Sequence, residues 1–480
     1  MKGEEFLAMI FVLSLFLISI MFNLNHYTGI GLFICILASM LLVIGVKRIV
    51  GNFTNMSLFF VIFSMLYGLS GPISALWGEG LPPIFSKPYS TDVYLIIYSL
   101  ANIGLIFGLV YYHLIYYNKK EFNFYLERQS FKPTLYNAKF LVVNSIFLSI
   151  IGTVFEVINF VRVGGFSTLL QGKAVYQSAV SSLTFTLPST NIMYLATSLM
   201  GLYLGICYIQ KENNYISKNK TMLFFLSILP FILINLFLGR RGVLITLFLC
   251  FFVGITYFKP IKKLKPKLII LFLMMYIFMG FIYTNRGIAP LLIEDRSLFF
   301  EMAFKSERII QGLIPASNEF GSTFGNFSEF YKKYNENFIP KLGESYIEGL
   351  VNPIPTFVYP GGIKPKAITY EFRDEFFPSE ATRGSIASTG FSSLLEAYIN
   401  FKYLGVFLVY SFIGYFLQKI DFYYRYKSFF SVLLYITTFS LTMIFHRSSF
   451  GFIFGNFFLS MILVWMFTIY FKIFSKREQG

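Results

Sequence analysis

Twelve mostly apolar runs, each long enough to cross about 30 Å of hydrocarbon at about 1.5 Å per helical residue, constrain this chain more than any other feature. They lie at roughly 6–24, 29–46, 56–77, 91–117, 137–160, 188–209, 222–238, 242–258, 267–284, 397–417, 429–445 and 449–471. Within lipid the backbone must satisfy its own N–H and C=O groups, and runs of this length do so as helices. The expectation is therefore an all-α polytopic membrane protein with about twelve transmembrane helices. The composition, 56% hydrophobic and only 13% charged, excludes an ordinary soluble domain. The first run follows Lys2 and has no small-x-small cleavage site after it, so it is expected to be a retained helix.

A net charge of +16 could mean nucleic acid or membrane topology. Position decides. With the N-terminus inside, 22 Lys and Arg fall on the inner side and six in short outer loops, while twelve, counting Lys402 just after it, belong to one long outer loop that the positive-inside rule does not govern. Both termini are thus expected in the cytoplasm, and nucleic acid is not required as a partner. Three segments follow: residues 1–284 with helices one to nine, 285–395 as a long outward-facing loop, and 396–480 with helices ten to twelve. A loop of that length is expected to contain short helices, one near 297–313 on the membrane surface. Its Pro/Gly-rich middle, 352–362, is not expected to be regular helix.

Several chemistries lack their residues. Cys35, Cys207 and Cys250 all lie in apolar runs without a Cys/His cluster, so no metal and no other cofactor is expected. No Walker A, G-x-G-x-x-G, H-E-x-x-H or G-x-S-x-G pattern occurs. Glu156 is the one acidic residue well inside a span, against the pattern of ion-coupled transport.

Arginine usage points elsewhere. The inner basic residues are 18 Lys and 4 Arg, whereas the outer ones are 9 Lys and 9 Arg. Lysine suffices for topology; the planar guanidinium fork suits phosphate or carboxylate. An anionic ligand at the outer interface is one explanation, and pairing with outer carboxylates is the other. Gly239-Arg240-Arg241-Gly242 and His446-Arg447-Ser448-Ser449 form short turns between spans, and Arg286 and Arg383 lie in the loop. The stretch 382–401, with Gly390, Glu396, Tyr398 and Asn400, leads into span ten. Glu396 either closes a capping box with Ser393 or orients and deprotonates a sugar hydroxyl.

In its twelve spans, late outer loop, Gly239-Arg240-Arg241-Gly242, Thr389-Gly390…Glu396-Ala-Tyr-Ile-Asn400-Phe401 and His446-Arg447, the chain resembles bacterial oligosaccharide repeat-unit polymerases of the O-antigen polymerase type. Where that family has Asn-Phe-Gly, this sequence has Asn400-Phe401-Lys402. The resemblance implies a GT-C type fold and a metal-independent glycosyltransferase of the bacterial inner membrane with its loop in the periplasm. Such an enzyme moves a growing glycan from undecaprenyl pyrophosphate to a second lipid-linked repeat unit. It implies Glu396 and His446 as catalytic residues. Arg240, Arg241, Arg447, Arg383, Arg286, Tyr398 and Asn400 would bind pyrophosphate and sugar. Partners would be the lipid-linked donor and acceptor, membrane lipids, a chain-length regulator and a flippase. An O-antigen ligase, a lipid-linked oligosaccharide flippase and a non-catalytic membrane assembly factor remain as alternatives.

Overall fold

The computed structural model describes residues 3–76, 90–116, 135–170, 186–209, 218–263, 265–285, 288, 291, 295–313, 319–351, 353–354, 359, 365–378, 390–424 and 428–477. Its regular structure is helical, with no strand among the described residues. A helix occupies each expected apolar run: α1 (Gly3–Leu24), α2 (Thr28–Val50), α3 (Met56–Leu76), α4 (Thr91–Tyr116), α5 (Leu135–Arg162), α6 (Ser189–Ile209), α7 (Lys218–Phe237), α8 (Arg241–Thr256) and α9 (Pro266–Asn285). The loop carries α10 (Arg296–Ala303), α11 (Ser306–Leu313), α12 (Glu319–Tyr334), α13 (Glu344–Val351) and α14 (Ile368–Phe376). Then come α15 (Ser393–Lys419), α16 (Phe429–Thr438), α17 (Leu441–Ile444) and α18 (Phe450–Arg477). Nine of these are long and apolar enough to cross a membrane, and α16 with α17 and the following turn makes a tenth bent by 41°. α8 and α9 are shorter apolar helices.

Lipid tails are as apolar as the side chains, so close backbone approach holds such helices together. α4 and α15 illustrate it: a Cβ on Gly108 would lie 1.9 Å from the Ser411 carbonyl oxygen, and one on Gly414 would lie 2.4 Å from that of Leu105. The start of α3 is fixed by Asp421, which accepts from the Met56 and Ser57 N–H groups and the Tyr435 hydroxyl at 2.9–3.0 Å. These are the first, orphan donors of a helix.

Two parts of the loop depart from a simple surface excursion. α12 is driven into the bundle: Phe324, Asn326 and Phe327 are buried, Thr323 donates to the Tyr67 carbonyl at 2.8 Å, and Phe324 packs on Gly71. The expected single span ten is broken. Phe401 (φ −142°) and Lys402 (φ 54°) interrupt α15, and the Ser393 and Tyr410 hydroxyls lie 3.4 Å apart although seventeen residues separate them. Ser393–Asn400 is therefore a helix folded back on the span, whose own start moves from 397 to Lys402. The expected surface helix near 297–313 is two helices, α10 and α11, with Phe300, Phe304 and Ile310 exposed. The 352–362 stretch lies largely outside the described residues.

Candidate functional site

Glu396 sits at the centre of the folded-back helix and has no exposed surface. Of the two readings of Glu396, the capping box with Ser393 does not form. Ser392 is the N-cap and its hydroxyl accepts from the Leu395 N–H, which leaves the Glu396 carboxylate to serve other elements. Its Oε2 accepts from the Phe450 N–H at 2.6 Å, at the first turn of α18, and its Oε1 accepts from the Ser345 hydroxyl of α13 at 2.9 Å. The carboxylate thus caps a helix more than fifty residues away, where the positive end of the helix dipole favours it.

Asn400 stands one turn along the same helix face. Its Nδ2 donates to the Ser345 Oγ at 2.7 Å and to the Glu396 carbonyl at 2.8 Å, and its Oδ1 accepts from the Gly343 N–H at 3.0 Å. Glu396 and Asn400 therefore share Ser345 and clamp α13 onto the bundle. Gly349 makes that close: a Cβ there would lie 2.8 Å from the Gly451 Cα. Two polar atoms of α13, the Tyr346 hydroxyl and the Glu348 Oε2, are buried without a hydrogen-bond partner among the described residues, as is the Ser449 Oγ next to Phe450. Burial pushes the Tyr346 hydroxyl pKa up, and the nearby Glu396 carboxylate adds to it. Glu348 is raised by burial and then by Glu371.

Beside this centre lies a cavity of about 20 Å3, room for about one water. Ser64, Tyr67, Tyr94, Thr323, Ser392 and His446 are among its lining residues, and Tyr410 joins it to Ser393. Among the described residues it has no Lys or Arg in its lining. His446 is buried in the bundle and packs on the Phe60 ring, rather than standing at an exposed turn. Its Nε2 lies 3.0 Å from the Phe60 carbonyl oxygen. A carbonyl only accepts, so this nitrogen carries the proton and Nδ1 keeps the lone pair.

The expected residues divide into groups. Glu396 and Asn400 come together on Ser345, with Glu396 also at the start of α18, whereas His446 lines the cavity with Ser392 and Leu394. Tyr398, on the opposite face of the folded-back helix, is packed among Phe327, Phe330 and Phe338. Arg240 belongs to a separate polar centre, donating from Nη1 to Glu156 Oε1 at 3.0 Å while the Ser189 hydroxyl donates to Oε2 at 2.5 Å. Arg241 is buried in the first turn of α8, and Arg447 is half-buried after His446. Arg286 and Arg383 lie outside the described residues. In the loop, Arg373 pairs with Asp374 at 2.6 Å, and Arg308 donates to the Thr284 carbonyl at the end of α9. Pairing with carboxylates thus accounts for Arg240 and Arg373.

Sequence reasoning missed Ser345, Tyr346 and the Phe450 N–H. The signal for α13 was its two glycines, Gly343 just before it and Gly349 within it, and for the cavity it was tyrosine instead of phenylalanine at 67, 94, 98 and 410 inside apolar runs. Gly390, with a φ of +86°, lies so close to Ser322 of α12 that a Cβ there would be 2.1 Å from the Ser322 Oγ. Comparison with protein-family models, curated protein sequences and solved structures finds no match for the chain.

Proposed function

We propose that this protein is a metal-independent glycosyltransferase with a GT-C type fold and twelve spans. In this reading it polymerises lipid-linked oligosaccharide repeat units at the outer face of the bacterial cytoplasmic membrane. The observation that carries the reading is the return of the outer loop into the bundle. α12 and the folded-back helix bring Thr323, Ser392 and Leu394 to a cavity lined also by His446 and Tyr410, and they bury Glu396, two residues beyond Leu394, against the start of α18. A loop that merely joins spans has no reason to bury a carboxylate and a row of hydroxyls, since each costs free energy unless satisfied.

In this reading Glu396 positions and deprotonates the attacking sugar hydroxyl. Its Oε1 becomes available when the Ser345 hydroxyl lets go and α13 moves aside. Arg241 and Arg447 stabilise the departing pyrophosphate, and Arg240, held by Glu156, fixes the turn that precedes Arg241. A flippase fits less well, because its central cavity would hold cations and this one is lined by hydroxyls and an imidazole. A ligase would share these features and differ in its acceptor.

The test is the glycan pattern of a deletion strain. Single repeat units on the lipid core support a polymerase. No repeat units at all point to ligase or flippase, and unchanged banding overturns the assignment. The proposed orientation has its own check: a cysteine at exposed Asn335 should react with an impermeant thiol reagent from outside, and one at Lys263 only after permeabilisation.

A further inference from the structure

The outer loop leaves an apolar edge uncovered. Ile339 is 90% and Leu342 77% exposed, beyond Phe33 at 69%, the most exposed large apolar side chain on the spans. Ile347 and Leu350, on the outer face of α13, continue the edge. Side chains of this size are worth about 1.5–3 kcal/mol each when removed from water, and a contiguous group of them marks a contact surface.

The edge is nonetheless held firmly to the bundle. The Lys341 and Leu342 N–H groups donate to the Ile399 and Asn400 carbonyls at 3.2 and 3.0 Å, and the Tyr346 ring stacks on Phe401. Directly after this turn, Leu404, Leu408 and Phe412 are exposed at four-residue spacing, one face of the span. The backbone bonds thus set Leu342 within about one helical turn of Leu404. The edge continues a ridge that, on a span, faces hydrocarbon.

We infer that the segment from Ile339 to Val351 is immersed in the membrane, with lipid acyl chains against Ile339, Leu342, Ile347 and Leu350. Glu344, exposed in the first turn of α13, marks the headgroup level, and Lys341 is neutralised by Glu371 at 2.7 Å. α13 then stands between the acyl chains and Glu396, with Ile347 and Leu350 on the lipid side and Ser345 and Gly349 on the other. A ligand borne by a lipid reaches Glu396 from the hydrocarbon side, by displacing α13. The inference requires only that the spans lie in a membrane and holds for any reaction at Glu396.

Nitroxide labels on single cysteines at Leu342 and Ile347 test it in the full chain, reconstituted into phosphatidylcholine and phosphatidylglycerol vesicles. The native cysteines are buried. Collision with oxygen should exceed collision with a water-soluble nickel chelate, with a ratio matching a label at Leu408 and reversing that at Asn335. A label at Ile339, the most exposed site, guards against a label that unseats the Leu342 turn. Ratios like that of Asn335 at all three sites would place the edge in water and overturn the inference. Shielding from both reagents would overturn it in favour of a protein partner or a second copy of the chain.

Discussion

Glu156 and Glu396 are both buried acids inside an apolar bundle, and they are held in opposite ways. Glu156 has an arginine and a serine hydroxyl as its partners, and it ties α5 to the starts of α6 and α8. Glu396 is met by a serine hydroxyl and a peptide N–H, both neutral, from a loop helix and from the start of α18. A carboxylate with a guanidinium beside it is an anchor, because separating the two strands a charge. A carboxylate held by neutral donors, one of them on a helix whose outer face is apolar, can exchange its partners at lower cost. The first centre is an anchor, and the proposed function assigns the chemistry to the second.

Removing the carboxylates should separate them further. Glu396→Ala orphans the Phe450 N–H and the Ser345 hydroxyl in a buried site, at about 1–3 kcal/mol for each donor, and unseats α13. Thermal unfolding in detergent should show the largest loss of any variant here, whereas Glu396→Gln keeps an acceptor for Phe450 and should lose much less. Equal stability of the Ala variant and the wild type would mean the Phe450 bond carries little. Arg240→Ala should cost about 1–3 kcal/mol, below the 3–5 typical of fully buried pairs because Arg240 is partly exposed. Glu156→Gln in the same chain should recover part of that loss. No recovery would show that Arg240 acts through something other than its charge.

How much of this was readable in the sequence depends on the kind of order involved. Apolar length alone placed a helix in every expected run, because hydrocarbon demands it whatever the partners. The broken α15 was not legible, since the break rests on two residues, Phe401 and Lys402, of which neither is a usual helix breaker. Glu396 could be singled out, as a carboxylate near a span end, but its partner could not. Phe450 contributes only a backbone N–H, which leaves no mark on residue identity. Likewise the turn at His446 read as a surface feature, and only packing against Phe60 put it inside.

Lys402 offers a smaller test on the chemical side. Its φ of 54° with ψ of −147° is a conformation that favours glycine. The Lys402 ammonium offsets part of the strain by donating to the Glu336 carbonyl at 2.9 Å. Lys402→Gly should therefore raise stability, by about 1 kcal/mol on relief of the strain, and a fall would show that the ammonium contact outweighs the backbone. The smallest expected effect is that of pH on the loop surface. Hydrogen bonds from Lys366 and then Arg373 hold the Asp374 carboxyl below its ordinary range. The stability it contributes is present above the usual carboxylate pKa and is lost as pH falls through the lowered value. Because the group is partly exposed the change in melting temperature should be slight, and Asp374→Asn should abolish it.

The most direct measurement is the glycan ladder made by Glu396→Gln in a strain lacking the native protein, beside that made by Glu156→Gln, with both variants at normal membrane levels. Gln fills the same space and can still accept from the Phe450 N–H, but it cannot take a proton. The account predicts single repeat units on the lipid core for Glu396→Gln and a ladder for Glu156→Gln. A full-length ladder from Glu396→Gln would contradict it, reducing Glu396 to the cap of α18.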